Sequence, residues 1–101
     1  MVVMVVDDDP GVRRVAVDHL RHSGFEALGA ATGQEALALL HENHRIVFIF
    51  VNFSIRGEVD ADTLAALVQR YRPRVPVLQT HALDEMVRLA TRSLDRIIAR
   101  A

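Results

Sequence analysis

Two stretches of the chain are unbroken apolar runs, Val2–Val6 and Ile46–Val51. Neither alternates with polar residues, so both faces of each should be buried. That is the pattern of strands in a parallel sheet covered by helices on both sides. The longer run ends in Asn52, Ser54 and Gly57, turn residues that favour a strand over a short buried helix. This strand therefore delivers Asn52 to its carboxyl end, where open α/β sheets build their sites.

The remaining segments alternate with these two. Asp7-Asp8-Asp9-Pro10 follows the first strand, with Asp9 as N-cap and Pro10 at the first helical position. Val12, Val15, Ala16, His19 and Leu20 recur at helical spacing, while Arg13, Arg14, Asp18 and Arg21 face out. Gly24 closes this helix near residue 23. Phe25–Leu28 is a short strand. Thr32-Gly-Gln-Glu35 is a capping box for a helix carrying Ala36, Leu37, Leu39 and Leu40 and ending near Asn43. Asp60 caps a third helix with Leu64, Ala65, Leu67 and Val68, stopped by Arg72-Pro73. Val75–Gln79 is a fourth strand, and Pro76 near its start suits an edge. Leu83–Arg100 is one helix with Leu83, Met86, Val87, Ala90, Leu94, Ile97 and Ile98 on its apolar side. Strand and helix alternate four times, which predicts an α/β fold with a three-layer parallel sheet, right-handed crossovers and a single domain over 1–101.

Composition narrows the function. The chain has 101 residues, half of them hydrophobic and a quarter charged, which suits one small globular domain. Its net charge is −1, without the basic footprint of a nucleic-acid binder. No Cys is present, so disulfides, thiolate metal sites and a Cys nucleophile are excluded. MVVMVV is too short for a signal-peptide core and no run could span a membrane, so a cytoplasmic location is expected. All 12 cationic Lys-or-Arg positions are Arg. His19/His22 and His41/His44 sit near helix ends, where contact with helix C-termini is the simpler reading than a metal site.

VVDDDPGVRR, ATGQEALALL and VPVLQT, in this order and spacing, resemble the response-regulator receiver domain from Met1 to roughly Thr80. The resemblance implies a flavodoxin-like, CheY-like sheet in the order 2-1-3-4. It implies a two-component phosphorelay role, not an enzyme, with a histidine kinase or a regulator as protein partner. In such domains an acidic pair after the first strand helps bind Mg²⁺, and Asp7 and Asp8 match it. An Asp ending the third strand accepts a phosphoryl group, and a backbone carbonyl two residues later completes the metal shell. Asn52 and Ser54 occupy those positions. Thr80 matches the Thr or Ser that binds the phosphoryl group at the end of the fourth strand.

The departures define the expectation. Asn52 has an amide in place of the acceptor carboxylate, and an amide oxygen is a poor nucleophile. Arg56 stands where the family often has Pro. The fifth strand, its Lys and one helix are expected to be missing, with a long C-terminal helix in their place. The chain thus reads as a degenerate, truncated pseudo-receiver that works by protein–protein interaction. The alternative is a phosphoacceptor that uses another acidic residue such as Asp8. No cofactor is expected beyond weakly held Mg²⁺, because losing one carboxylate should cost about 1–3 kcal/mol of binding. The bland roles are helix capping for Asp9 and Thr80 and a turn contact for Asn52. A homodimer is expected through Val77, Met86, Leu89, Leu94 and Ile98, without nucleic acid or membrane.

Overall fold

The computed structural model describes residues 1–91 together with Ser93, Leu94, Arg96 and Ala99, and of Asp84, Met86 and Leu89 the backbone alone. In chain order it contains β1 Val2–Val6, α1 Pro10–His22, β2 Glu26–Ala30, α2 Gly33–Glu42, β3 Ile46–Asn52, α3 Ala61–Tyr71, β4 Val77–Thr80 and α4 Leu83–Ala90. Among the described residues the sheet has four strands, all parallel, in the order β2-β1-β3-β4.

The two apolar runs form the centre of this sheet. Val3 to Val6 and Ile49 to Val51 are fully shielded from solvent. One face packs Met4, Val6, Ile49 and Val51 against Ala36 and Leu40 of α2 and Leu64 and Val68 of α3. The other packs Val3, Val5, Phe48 and Phe50 against Ala16, Val17 and Leu20 of α1 and Leu83 and Val87 of α4. Each fully buried Leu, Phe or Val contributes about 1.5–3 kcal/mol through the apolar area it removes from water.

Caps set the helix limits. Asp9 accepts from the Gly11 and Val12 N–H groups, Thr32 Oγ1 from Glu35 and Asp60 from Thr63. Gly24 follows α1 at φ +95°, where an L side chain would be strained. Gly33 starts α2 against the loop after β3: a Cβ there would lie 2.1 Å from the Val59 carbonyl oxygen. That close approach pins the loop that carries Ser54 and Ile55.

Four expectations shift. The strand expected at Phe25–Leu28 is Glu26–Ala30, because the Phe25 N–H is spent on Leu20 O and the ladder to β1 starts at Glu26. The strand expected at Val75–Gln79 is Val77–Thr80. Val75 N–H closes a turn onto Arg72 O, and the ladder to β3 runs from Val77 to Thr80. On α1, Val15 is exposed and Val17 is buried in its stead. Finally, the single helix expected over Leu83–Arg100 is interrupted after Ala90 by a turn at Thr91 and Ser93, with Leu94, Arg96 and Ala99 helical again beyond it. Thr91 Oγ1 bonds back to Arg88 O, and Ser93 N–H and Arg96 N–H make three-residue contacts to Ala90 O and Ser93 O. Hydroxyl side chains that bond to the preceding turn compete with helix continuation. Ile97, Ile98 and Arg100 lie outside the described residues.

α4 packs beside α1 on the same face of the sheet. Leu94 is completely buried in that layer, and His19 Nε2 lies 3.4 Å from Thr91 Oγ1. Leu94 was expected on a dimer interface; it is a core residue of its own chain. The side chains of Met86, Leu89 and Ile98, expected beside it, lie outside the described set.

Candidate functional site

The carboxyl ends of β1, β3 and β4 bring Asp7, Asn52 and Thr80 to one end of the sheet. Asp7 is 0 % exposed. A buried carboxylate is costly unless its oxygens are hydrogen-bonded, and here both are. Oδ1 accepts the Asp9 N–H at 2.9 Å and Oδ2 accepts an N–H of the Asn52 amide at 3.0 Å. The Asp7 backbone carbonyl accepts from the Arg13 guanidinium at 2.7 Å.

Asn52 uses both ends of its side chain. While Nδ2 donates to Asp7, Oδ1 accepts the Ser54 N–H at 2.8 Å, closing a turn over Asn52-Phe53-Ser54. Flipping the amide would set oxygen against carboxylate and N–H against N–H, so the two partners fix its orientation. The turn contact and the position opposite the acidic loop, separate readings in the sequence, are one arrangement.

Asp8 and Asp9 diverge from Asp7. Both are exposed, and Asp9 caps α1. Ser54 is exposed on its turn. Thr80 is 8 % exposed, and its Oγ1 accepts the Ala82 N–H at 3.1 Å. It is not the α4 N-cap; Ala82 holds that position without a side-chain bond.

Two residues that the sequence did not single out close this end of the sheet. Phe53 and His81 stack with ring centroids 4.9 Å apart and planes inclined at 28°. Phe53 is 45 % exposed, and its N–H donates to Thr80 O at 2.9 Å. The stack ties the loop after β3 to the loop after β4. Its only sequence signal was adjacency, since each ring directly follows a strand-end residue. Arg13, read as a solvent-facing residue, also belongs here through its bond to Asp7.

Mg²⁺ requires oxygen donors in near-octahedral array. The donor set does not fit it as arranged. Asp7 has both oxygens engaged, and Asn52 turns N–H rather than oxygen towards it. Among the described residues no three His, Cys, Asp or Glu side chains form a metal-holding group. His22 Nδ1 contacts Asp18 O at 2.7 Å, a local helix contact. His41 and His44 flank a groove between α2 and α3 with Leu37, Leu40, Leu67, Tyr71 and Arg72.

The chain is 28% identical over 96 residues to the sensor protein TorS of Escherichia coli K12, a match covering 93% of this chain and 10% of that protein. It is 30% identical over 76 residues to the transcriptional regulatory protein GlrR of the same organism, covering 75% and 17%. It thus spans less than a fifth of the length of these curated relatives. No family model matches. Among solved structures, the receiver domain of the hybrid histidine kinase CckA superposes with a TM-score of 0.72 at 27% identity, covering 96% of this chain and 99% of that one. A receiver domain of the Francisella response regulator 1452 superposes at 0.78 with 17% identity, covering 98% and 97%, a likeness of fold. The fold is that of CheY-like receiver domains, and the sequence resembles them over most of its length.

Proposed function

Taking the chain as a receiver-type signalling domain, we propose that it acts by contact with a protein partner and without accepting a phosphoryl group. The observation that carries this reading is the double use of the Asn52 side chain, donor to Asp7 and acceptor from Ser54. Receiver chemistry would need a carboxylate oxygen free to attack phosphorus at this position. Here an amide oxygen, already a poor nucleophile, accepts a backbone N–H, and the amide turns its own N–H towards Asp7. The same amide supplies Asp7 with the partner that a cation would otherwise provide, so the carboxylate is buried at little cost. These 101 residues contain no Lys, the residue whose ammonium such domains set against the phosphoryl group.

The partner in this reading is a kinase or regulator of a two-component pathway, met in the cytoplasm. Mg²⁺ binding is weak or absent, and neither nucleic acid nor a membrane has a part. Among the described residues no helix is long and apolar enough to cross a membrane. The chain also pairs with a second copy of itself. The alternative acceptor, Asp8, is favoured only by its exposure.

One experiment separates the two readings. The protein is incubated with acetyl phosphate and Mg²⁺ and its intact mass is measured. An unchanged mass is expected. A gain of one phosphoryl group overturns the proposal, and peptide mapping then decides whether Asp8 carries it. Asn52→Asp should accept phosphate poorly for want of the Lys.

A further inference from the structure

The two edges of the sheet are finished differently. Asp7 N–H donates to Ala30 O, so Ala30 faces β1. Carbonyls alternate along a strand, which turns Ala27 and Gly29 outward. That outer side is covered. Arg21 donates its guanidinium to Ala27 O at 2.9 Å, and the Arg13 stem lies over Gly29. Charged side chains at an edge block further pairing.

β4 has no such guard among the described residues. Ile49 N–H donates to Pro76 O and Phe53 N–H to Thr80 O, so these carbonyls face β3. By alternation, Val77 and Gln79 turn their backbone N–H and C=O outward. Gln79 Oε1 is buried and has no hydrogen-bond partner among the described residues. A hollow of about 240 Å³ between α3 and the start of β4 leaves the approach open.

We propose that the outer edge of β4 pairs antiparallel with β4 of a second copy about a twofold axis at Leu78. This deepens the self-association proposed above and is independent of the phosphorylation reading. In this register Val77 faces Gln79 of the second copy and Gln79 faces its Val77. Each pair exchanges two backbone hydrogen bonds, which uses all four outward groups of each strand. The two Gln79 side chains become diagonal neighbours at about 7–8 Å between backbones, within reach of long side chains, and each amide can donate to the other's Oε1.

Charge selects a second copy as the occupant. The exposed Arg74 precedes β4 and the exposed Glu85 lies in the first turn of α4 after it. Antiparallel pairing sets Arg74 of each copy near the Glu85 end of the other. Parallel pairing would set like charge beside like. The contact is small, so the association is weak and concentration-dependent.

Sedimentation equilibrium of the full chain across a wide concentration range tests this. A reversible monomer–dimer equilibrium is expected. Val77→Pro removes an outward N–H without touching the ladder to β3 and should weaken association by about tenfold or more. Arg74→Glu and Glu85→Arg should each weaken it, and the double swap should restore it. Far-ultraviolet circular dichroism checks that each variant is folded. A wild-type chain that stays monomeric at the highest concentration overturns the proposal. A dimer indifferent to Val77→Pro, or a double swap that fails to recover association, overturns it equally. None of these readouts depends on phosphoryl transfer, so either proposal can fail alone.

Discussion

The carboxyl end of the sheet and the outer edge of β4 treat buried polar atoms in opposite ways. At the first, every oxygen of the buried Asp7 side chain has a donor, and the Asn52 amide is used at both ends. At the second, Gln79 Oε1 is buried without a partner among the described residues, and the backbone of Val77 and Gln79 faces outward. An unsatisfied buried acceptor costs about 1–3 kcal/mol, so such atoms are usually resolved by a partner. The contrast teaches where this domain is closed and where it is open. The carboxyl end of the sheet is satisfied from within the chain; at the β4 edge the proposed second copy supplies what the chain leaves open.

The largest expected effect tests whether α4 belongs to the closed part. Leu94→Glu places an unpaired carboxylate in a completely buried position beside α1. We expect a loss of about 3–5 kcal/mol, enough to unfold a small domain. Urea denaturation measures it. A folded, monomeric variant would instead place Leu94 at an interface.

Next comes the closed site itself. Asp7→Ala leaves the Asp9 N–H and the Asn52 amide without their acceptor. The expected cost is about 2–4 kcal/mol by the same denaturation. Asn52→Asp is smaller. It faces one carboxylate with another in place of an N–H donor, at about 1–3 kcal/mol near neutral pH. Millimolar Mg²⁺ should return part of that stability to the variant and none to the wild type. A variant as stable as wild type without Mg²⁺ would break the comparison, since the amide would then be doing nothing for Asp7.

The smallest effect is at a cap far from both regions. Hydrogen bonds from the Thr63 backbone and side chain hold the Asp60 carboxyl below its ordinary value. A carboxyl lowered in the folded state contributes stability above its unfolded pKa, and loses it as pH falls through the folded value. Asp60→Asn should therefore flatten the acid limb of the stability curve slightly. An unchanged limb would contradict the assignment. The carboxyl is fully exposed, so the change is small beside those at Asp7.

Much of this was legible in the sequence for a physical reason. Val2–Val6 and Ile46–Val51 are buried on both faces, and burial on both faces leaves an unbroken apolar run. Caps at Asp9, Thr32 and Asp60 are local and were readable. The strand order came from the receiver likeness rather than from periodicity. The end of α4 was hidden because its apolar stripe keeps helical spacing through Thr91 and Ser93, and the Thr91 hydroxyl bonds to the Arg88 carbonyl only once the turn exists. Arg13 and Arg21 looked solvent-facing because pattern does not report a guanidinium reaching a strand carbonyl. The placement of Asp7 and Asn52 at neighbouring strand ends followed from the runs before them. Which end of the amide faces the carboxylate did not, because it depends on a Ser54 N–H fixed only by the folded turn.

The central claim is that the site is closed by its own amide. The most direct measurement follows the Asn52 side-chain N–H signals by nuclear magnetic resonance during Mg²⁺ titration. The account predicts distinct, hydrogen-bonded Asn52 amide signals that stay in place into the millimolar range. Saturable displacement at micromolar Mg²⁺, shared by Val6 to Asp9, would show that a cation takes the place of the amide and would contradict it.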